Sequence, residues 1–282
     1  MNYHFAVLGH PVSHSRSPDI HHQFARDLGL SVQYEAIDIP EDAFEARVQQ
    51  LIEAGMHGFN VTVPHKETAC QWVANLTARA SRAGAVNTLL QDPDRPGQWL
   101  GDNTDGAGLL YDLTHLQGLV LEGRRVLLIG AGGAVRGVLE PLLEAQPLAV
   151  HVANRTPARA EEMVEHFADT AQACGTELTG GGFDTVSPGW DIVINGSAAS
   201  LQGDIPAIDA AVMAGVSACY DMMYSADATP FNVWASAQGV PRCMDGLGML
   251  VGQAAESFTL WTGQRPDAAP VLAALRKKLS GK

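Results

Sequence analysis

Along this chain the apolar positions switch repeatedly between the period of a strand and that of a helix. Tyr3–Gly9 is an apolar run that predicts a strand, followed by a polar loop, His10–Ser17. A helix is expected next, with Ser17 as N-cap, Pro18 at its first position and Asp19 in its first turn. Ile20, Phe24 and Leu28 recur every four residues and mark its buried face. Val32–Ile39 predicts a second strand, and Phe44, Val48, Leu51 and Ile52 a second helix. Gly58–Val63 predicts a third strand, ended by Pro64. This β-α-β-α-β order predicts a parallel sheet covered by helices.

Beyond about Thr104 the alternation repeats with clearer punctuation. Arg125–Ile129 predicts a short buried strand running straight into Gly130-Ala131-Gly132-Gly133-Ala134. Val138, Leu139, Leu142 and Leu143 mark a helix, Ala149–Ala153 a strand, and Met163, Val164 and Phe167 another helical face. Asp191–Asn195 and Val216–Asp221 predict further strands, and Leu247–Lys282 two helices separated by Gly263 and Pro266. The expected fold class is therefore α/β in two domains. Residues 1–103 form the first part of one, residues 104–245 the second, and residues 246–282 are C-terminal helices packing back on the first.

Composition narrows the function classes. Lys+Arg 18 against Asp+Glu 31 gives a net charge of −13, a poor match for nucleic acid or an anionic membrane. No apolar run is long enough to span a bilayer, and the start, Met1-Asn2-Tyr3-His4, lacks the features of a secretory signal. Cys70, Cys174, Cys219 and Cys243 are too dispersed for a metal or redox motif and suit a reduced, cytoplasmic protein. No metal is expected.

The turn Gly130–Ala134 closes a strand and opens a helix, the arrangement that pyrophosphate binding requires. Glycines let the backbone approach the phosphates, and the helix N-terminus offers free N–H groups. The third glycine of the usual fingerprint is replaced by Val135. Where NAD binders carry an acidic residue, 24 positions past Gly130, this chain has Asn154, followed by Arg155, Thr156 and Arg159. Two guanidiniums can pair with a 2′-phosphate that a carboxylate would repel, so the expected cofactor is NADP. The plainer alternative makes both arginines surface cations, one turn apart on a helix.

Candidate substrate residues cluster elsewhere. Ser15 and Ser17 could present hydroxyls to a carboxylate at a helix N-terminus; the bland alternative leaves Ser17 as a cap and His14 as a solvated loop residue. Asn60 and Thr62 are expected on one face of their strand, with Lys66 just past its end. A lysine beside an active-site carboxylate can relay a proton to or from a hydroxyl. A solvated Lys66 is its alternative, and His65 is the rival base. Gly101-Asp102-Asn103-Thr104-Asp105-Gly106 lacks the ligand spacing of a calcium loop and reads as a catalytic segment or as a turn capped by Thr104.

Taken together, these segments resemble shikimate dehydrogenase of the bacterial single-function type. The matching residues are His14–Pro18, Asn60–Pro64 with Lys66, Ala83–Thr88, Gly101–Gly106, Gly130–Ala134 and Asn154–Thr156. They continue with Tyr220–Met222 and Tyr224, Thr229–Phe231 and Asp245–Leu250. The resemblance implies an N-terminal substrate domain and a Rossmann-like NADP-binding domain flanking a cleft. It also implies reversible NADPH-dependent reduction of 3-dehydroshikimate to shikimate. Lys66 and Asp105 would form the catalytic pair. Ser15, Ser17, Asn60, Thr62, Asn87, Tyr224 and Gln253 would hold the substrate. Gly130, Ala131, Gly132, Gly133, Ala134, Asn154, Arg155, Thr156, Arg159, Met222 and Gly246 would hold NADP. The expected assembly is a monomer or homodimer. Asn195-Gly196-Ser197-Ala198 departs from the family in carrying Gly at 196, expected to loosen the packing slightly. The alternatives are a quinate/shikimate dehydrogenase of broader specificity and a non-catalytic NADP-binding sensor on the same fold.

Overall fold

A computed structural model describes residues 2–197, 199 and 204–281; Ala198, in the segment that departs from the family, lies outside them. The chain divides into two units, Met1–Gly108 with Val251–Leu275, and Leu109–Leu250 with Arg276–Lys282.

The first unit is built on strands β1 (Asn2–Gly9), β2 (Ser31–Asp38), β3 (Gly58–Val61), β4 (Asn75–Leu76), β5 (Thr88–Gln91) and β6 (Trp99–Asp102). Their order is β2-β1-β3-β5-β6-β4. β1 pairs in parallel with β2 and β3, as the β-α-β-α-β pattern predicts, but β3–β5 and β5–β6 are antiparallel, so the sheet is mixed. Helices α1 (Ser17–Leu28), α2 (Phe44–Glu53), α3 (Lys66–Trp72) and α4 (Ala78–Ala83) connect these strands. α1 buries Ile20 and Phe24, as their spacing predicts. Its N-cap is Arg16 rather than Ser17; Ser17 is already helical, and its N–H donates to the Ser15 hydroxyl at 3.3 Å. Ser15 thus supplies the oxygen expected from Ser17.

The second unit carries β7 (Arg125–Ile129), β8 (Ala149–Ala153), β9 (Glu177–Gly181), β10 (Ile192–Asn195), β11 (Ala218–Asp221) and β12 (Cys243–Asp245), all parallel, in the order β12-β11-β10-β7-β8-β9. This is the doubly wound dinucleotide-binding order, with its switch point between β7 and β10. Helix α5 (Asp105–Leu110) and a π-helical stretch, Tyr111–Leu116, precede it; α6 (Gly133–Glu144), α7 (Pro157–Cys174) and α8 (Pro230–Ala237) lie within it. The chain ends in α9 (Leu247–Thr262) and α10 (Ala268–Leu279). Val126, Leu128, Val138, Leu142, Val150, Val152 and Phe167 belong to one buried cluster that joins β7 and β8 to α6 and α7. No helix among the described residues is long and apolar enough to cross a membrane.

Candidate active site

Lys66 opens α3 and Asp105 opens α5. The Lys66 Nζ donates to Asp105 Oδ2 at 2.6 Å, and Asn87 Nδ2 donates to the other carboxylate oxygen at 2.8 Å. The carboxylate is therefore gripped on both oxygens. Its side chain is 11% exposed and that of Lys66 29%, so the pair sits at the margin of the protein interior.

The segment before Asp105 is held from below. Arg79 donates to both oxygens of Asp102 at 2.7 and 2.6 Å, while Thr77 Oγ1 and the Asn103 N–H donate to Asp102 Oδ1. Burial alone would raise the Asp102 carboxyl, but Arg79, Thr77 and the Asn103 amide outweigh it and hold it below the ordinary carboxylate value. Asn103 then turns the chain: its Oδ1 accepts the Asp105 N–H at 3.1 Å and its Nδ2 donates to Ala85 O at 3.0 Å. The alternative reading, a turn capped by the Thr104 hydroxyl, is not what the bonds show. The Thr104 hydroxyl instead faces Asn87 and Ser257, and Asn103 serves the helix start.

A floor of buried polar side chains lies beside the pair. Asn60 Oδ1 accepts from the Tyr34 hydroxyl at 2.7 Å, and its Nδ2 donates to Ser257 Oγ at 3.0 Å and Asn87 O at 3.2 Å. Asn87 Oδ1 accepts from the Thr104 N–H and the Thr88 hydroxyl, both at 2.9 Å, and Asn87 Nδ2 lies 3.3 Å from Gln253 Oε1. The structure thus brings Lys66, Asp105, Asn60, Asn87 and Gln253 into one connected network. Ser17 is buried at the start of α1, and Ser15 is half-buried beside it. β3 ends at Val61, so Thr62 lies one residue past the strand it was expected to share with Asn60; its N–H still donates to Leu8 O at 2.9 Å. His65, the rival base, is buried, bonds Ile39 O at 2.7 Å and stacks on Phe44, which makes it a packing residue. Burial lowers His21 to about 3, so it is a neutral ring, stacked on Tyr34 at 4.2 Å.

The residues missed in the sequence are Tyr34, Arg79, Thr88, Thr104 and Ser257. Thr88 and Thr104 fall inside matching segments, but their hydroxyls meet Asn87 only through tertiary pairing. Ser257 stands one helical turn after Gln253, and that spacing is the only signal it carries.

In the second unit Gly130 has φ +108°, and a Cβ there would come within 3.1 Å of the Gly196 and Ser197 backbone. The turn after β7 therefore crosses tightly under the loop after β10. Gly132 and Gly133 differ: a Cβ on either would meet nothing within 4 Å, and Gly132 caps α6 without a side-chain bond. Space and open N–H groups at a helix start fit a phosphate. Ala131 is half-buried and Ala134 exposed. Asn154 Nδ2 donates to Thr156 O at 2.9 Å and shapes the turn that carries Arg155 ahead of α7. Arg155 is thus outside the helix that holds Arg159, contrary to the one-turn-apart alternative, and both are exposed. Arg155 lines an open groove of about 420 Å³ with Gly182, Phe183, Asp184 and Asp209. The glycine turn and the two exposed arginines fit a dinucleotide carrying an extra phosphate, whereas Asp184 and Asp209 make that groove itself a poor seat for one.

Met222 and Tyr224, both half-buried, follow β11. Gly246 is buried where a Cβ would collide with the Met222 backbone, so packing alone demands a glycine there. Gly196 is also no loosening. A Cβ at 196 would stand 2.5 Å from Val135 Cγ2 and 2.9 Å from Met222 Sδ, so the valine that replaces the third glycine fills the space an alanine would need.

Comparison with known proteins agrees with this architecture. Family models match for the shikimate dehydrogenase substrate binding domain over residues 7–89, shikimate/quinate 5-dehydrogenase over 113–200, and the shikimate 5′-dehydrogenase C-terminal domain over 246–276. The chain is 50% identical over 272 residues to "Shikimate dehydrogenase (NADP(+))" of Alkalilimnicola ehrlichii, covering 96% of this chain and 98% of that protein. Its fold is similar to the crystal structure of an Ael1 enzyme from Pseudomonas putida, with TM-score 0.91, 38% identity, and 97% and 98% of the two chains covered. It is also similar to shikimate 5-dehydrogenase from Thermus thermophilus in complex with NADP(H) and shikimate, with TM-score 0.84, 35% identity, and 98% and 100% covered.

Proposed function

The chain belongs to the shikimate dehydrogenase family, and from that premise we propose that it catalyses the reversible NADPH-dependent reduction of 3-dehydroshikimate to shikimate. Its activity is that of an NADP-dependent oxidoreductase. The observation that carries the finer reading is the Lys66–Asp105 contact of 2.6 Å, with Asn87 on the second carboxylate oxygen.

In the reduction, negative charge develops on the carbonyl oxygen and must be met by a proton. Lys66 Nζ spends one N–H on Asp105 and keeps two for that oxygen, which it stabilises and protonates. Asp105, clamped by Asn87, fixes where the ammonium points and accepts from the neighbouring ring hydroxyl. In the oxidation the same groups take the proton back. Ser15 and Ser17, at the positive end of α1, hold the substrate carboxylate. Thr62, Asn87, Tyr224 and Gln253 hold the ring hydroxyls, with Asn60 lining the pocket. When bound, NADP supplies or accepts the hydride. Gly130–Ala134 cradle its pyrophosphate with backbone N–H groups, and Arg155 and Arg159 pair with its 2′-phosphate.

The test is product identification. Incubation with shikimate and NADP⁺ is expected to yield NADPH and 3-dehydroshikimate in equal amounts, identified by chromatography against standards. Cofactor binding without any turnover would remove the dehydrogenase reading in favour of a sensor.

A further inference from the structure

We propose that Ser257 is a positioning residue for the substrate site, a role outside the set of residues that the family resemblance implies and one that rests on the function proposed above. Ser257 is completely buried on α9. Its hydroxyl donates to Gln253 O at 3.0 Å, the back-bond that a buried helical serine ordinarily makes. The same oxygen meets three further groups that such a serine does not need. It accepts from Asn60 Nδ2 at 3.0 Å and from the Thr104 hydroxyl at 3.2 Å. It also lies 2.8 Å from Thr88 Oγ1, whose own proton goes to Asn87, so the Ser257 proton is shared between Gln253 O and Thr88. Each of these reaches the site. Asn60 lines the proposed pocket, and Thr88 and Thr104 both bond Asn87, which holds Asp105.

The hydroxyl adds to what holds the Asn60 amide, whose orientation the acceptor-only Asn87 carbonyl already sets. Tyr34 donates to its oxygen and Ser257 accepts from its nitrogen. Without the Ser257 oxygen, Nδ2 retains only Asn87 O at 3.2 Å and Thr88 Oγ1 at 3.4 Å, and the threonine hydroxyls are free to turn. Because Gln253 and Ser257 share a helical turn, one backbone carbonyl links the serine to the Gln253 side chain that meets Asn87. Loss of the hydroxyl therefore loosens amide orientation at Asn60 and Asn87, and through Asn87 the grip on Asp105, the partner of Lys66.

The experiment is steady-state kinetics with shikimate and NADP⁺ across pH for wild type, Ser257→Ala and Ser257→Cys, with melting temperatures measured in parallel. Cysteine keeps a side chain at the site, bulkier than serine and only a weak acceptor, so it reads the same contacts where alanine fails to fold. Both variants are expected to raise KM for shikimate about tenfold, as befits loss of a buried hydrogen bond. They should leave KM for NADP⁺ within about twofold, and displace the pH profile of kcat/KM. Wild-type KM and pH profile in either folded variant, even with a lower melting temperature, would reduce Ser257 to a packing residue. Failure of the wild type itself to oxidise shikimate would instead overturn the proposed function, and the positioning role with it.

Discussion

In the first unit polar side chains bind one another, whereas in the second the turn after β7 presents bare backbone. Asn60, Asn87, Thr88, Thr104, Asp105 and Ser257 are buried, and each is held by at least two of the bonds described above. Gly132 and Gly133 have no neighbour where a side chain would stand. The difference suits two kinds of ligand. A small polyhydroxylated ring is told from its relatives by the direction of each hydrogen bond, which only a prearranged side-chain network fixes. A pyrophosphate needs charge and close approach, which a helix start and the absence of Cβ atoms supply.

Each half should therefore break in its own way. The largest effect belongs to the side-chain half: Lys66→Ala is expected to lower kcat by roughly 10²–10⁴ with NADP⁺ affinity retained, measured by rapid kinetics and calorimetry. A near wild-type rate would remove Lys66 from the chemistry. In the second unit, Arg155→Ala should weaken NADPH by about 10–100-fold while NADH changes little, since only the former loses a charge-assisted pair. Equal losses would argue against a 2′-phosphate contact. Gly132→Ala sharpens the contrast. Its φ of −95° suits alanine and its surroundings are open, so folding should be unaffected while NADP⁺ binding falls about tenfold by obstruction. Unchanged affinity would mean that no ligand approaches there.

Gly196→Ala tests packing rather than binding. Overpacking against Val135 should cost about 1–3 kcal/mol in denaturant unfolding. Adding Val135→Ala should recover a measurable part, as the positive coupling of a double-mutant cycle. Additive losses would show that the two side chains do not compete for that space.

The last test, read as a pH dependence of stability, concerns Asp102. Its carboxyl is lowered in the folded state, so its contribution is fully present above the ordinary carboxylate value and is lost as pH falls through the lowered one. Asp102→Asn should flatten the acid limb of a stability–pH curve; an unchanged limb would mean that other carboxylates set it.

How much was legible in the sequence follows the same division. Arg125–Ile129 and Ala149–Ala153 stand where their apolar runs place them, because parallel strands covered on both faces leave continuous hydrophobic stretches between turn signals. Glu177–Gly181 escaped notice because an edge strand ending in glycines reads as a loop. β5 and β6 are four residues each, and their antiparallel pairing made the first sheet mixed. The glycine turn is local and visible, since a phosphate cradle is one contiguous segment. The proposed substrate network is assembled from afar: Lys66 and Asp105 are 39 positions apart, and Asn60 and Ser257 are 197. Family resemblance brought Lys66, Asp105 and Asn87 together, but Ser257 carries no signal beyond standing one helical turn after Gln253.

The most direct measurement is a two-by-two comparison of initial rates, with shikimate or quinate as substrate and NADP⁺ or NAD⁺ as cofactor. Fast turnover confined to shikimate with NADP⁺, and lower kcat/KM in the other three combinations, is the predicted result. Equal rates with quinate, or a preference for NAD⁺, would contradict the roles given to the first unit's network and to Arg155 and Arg159.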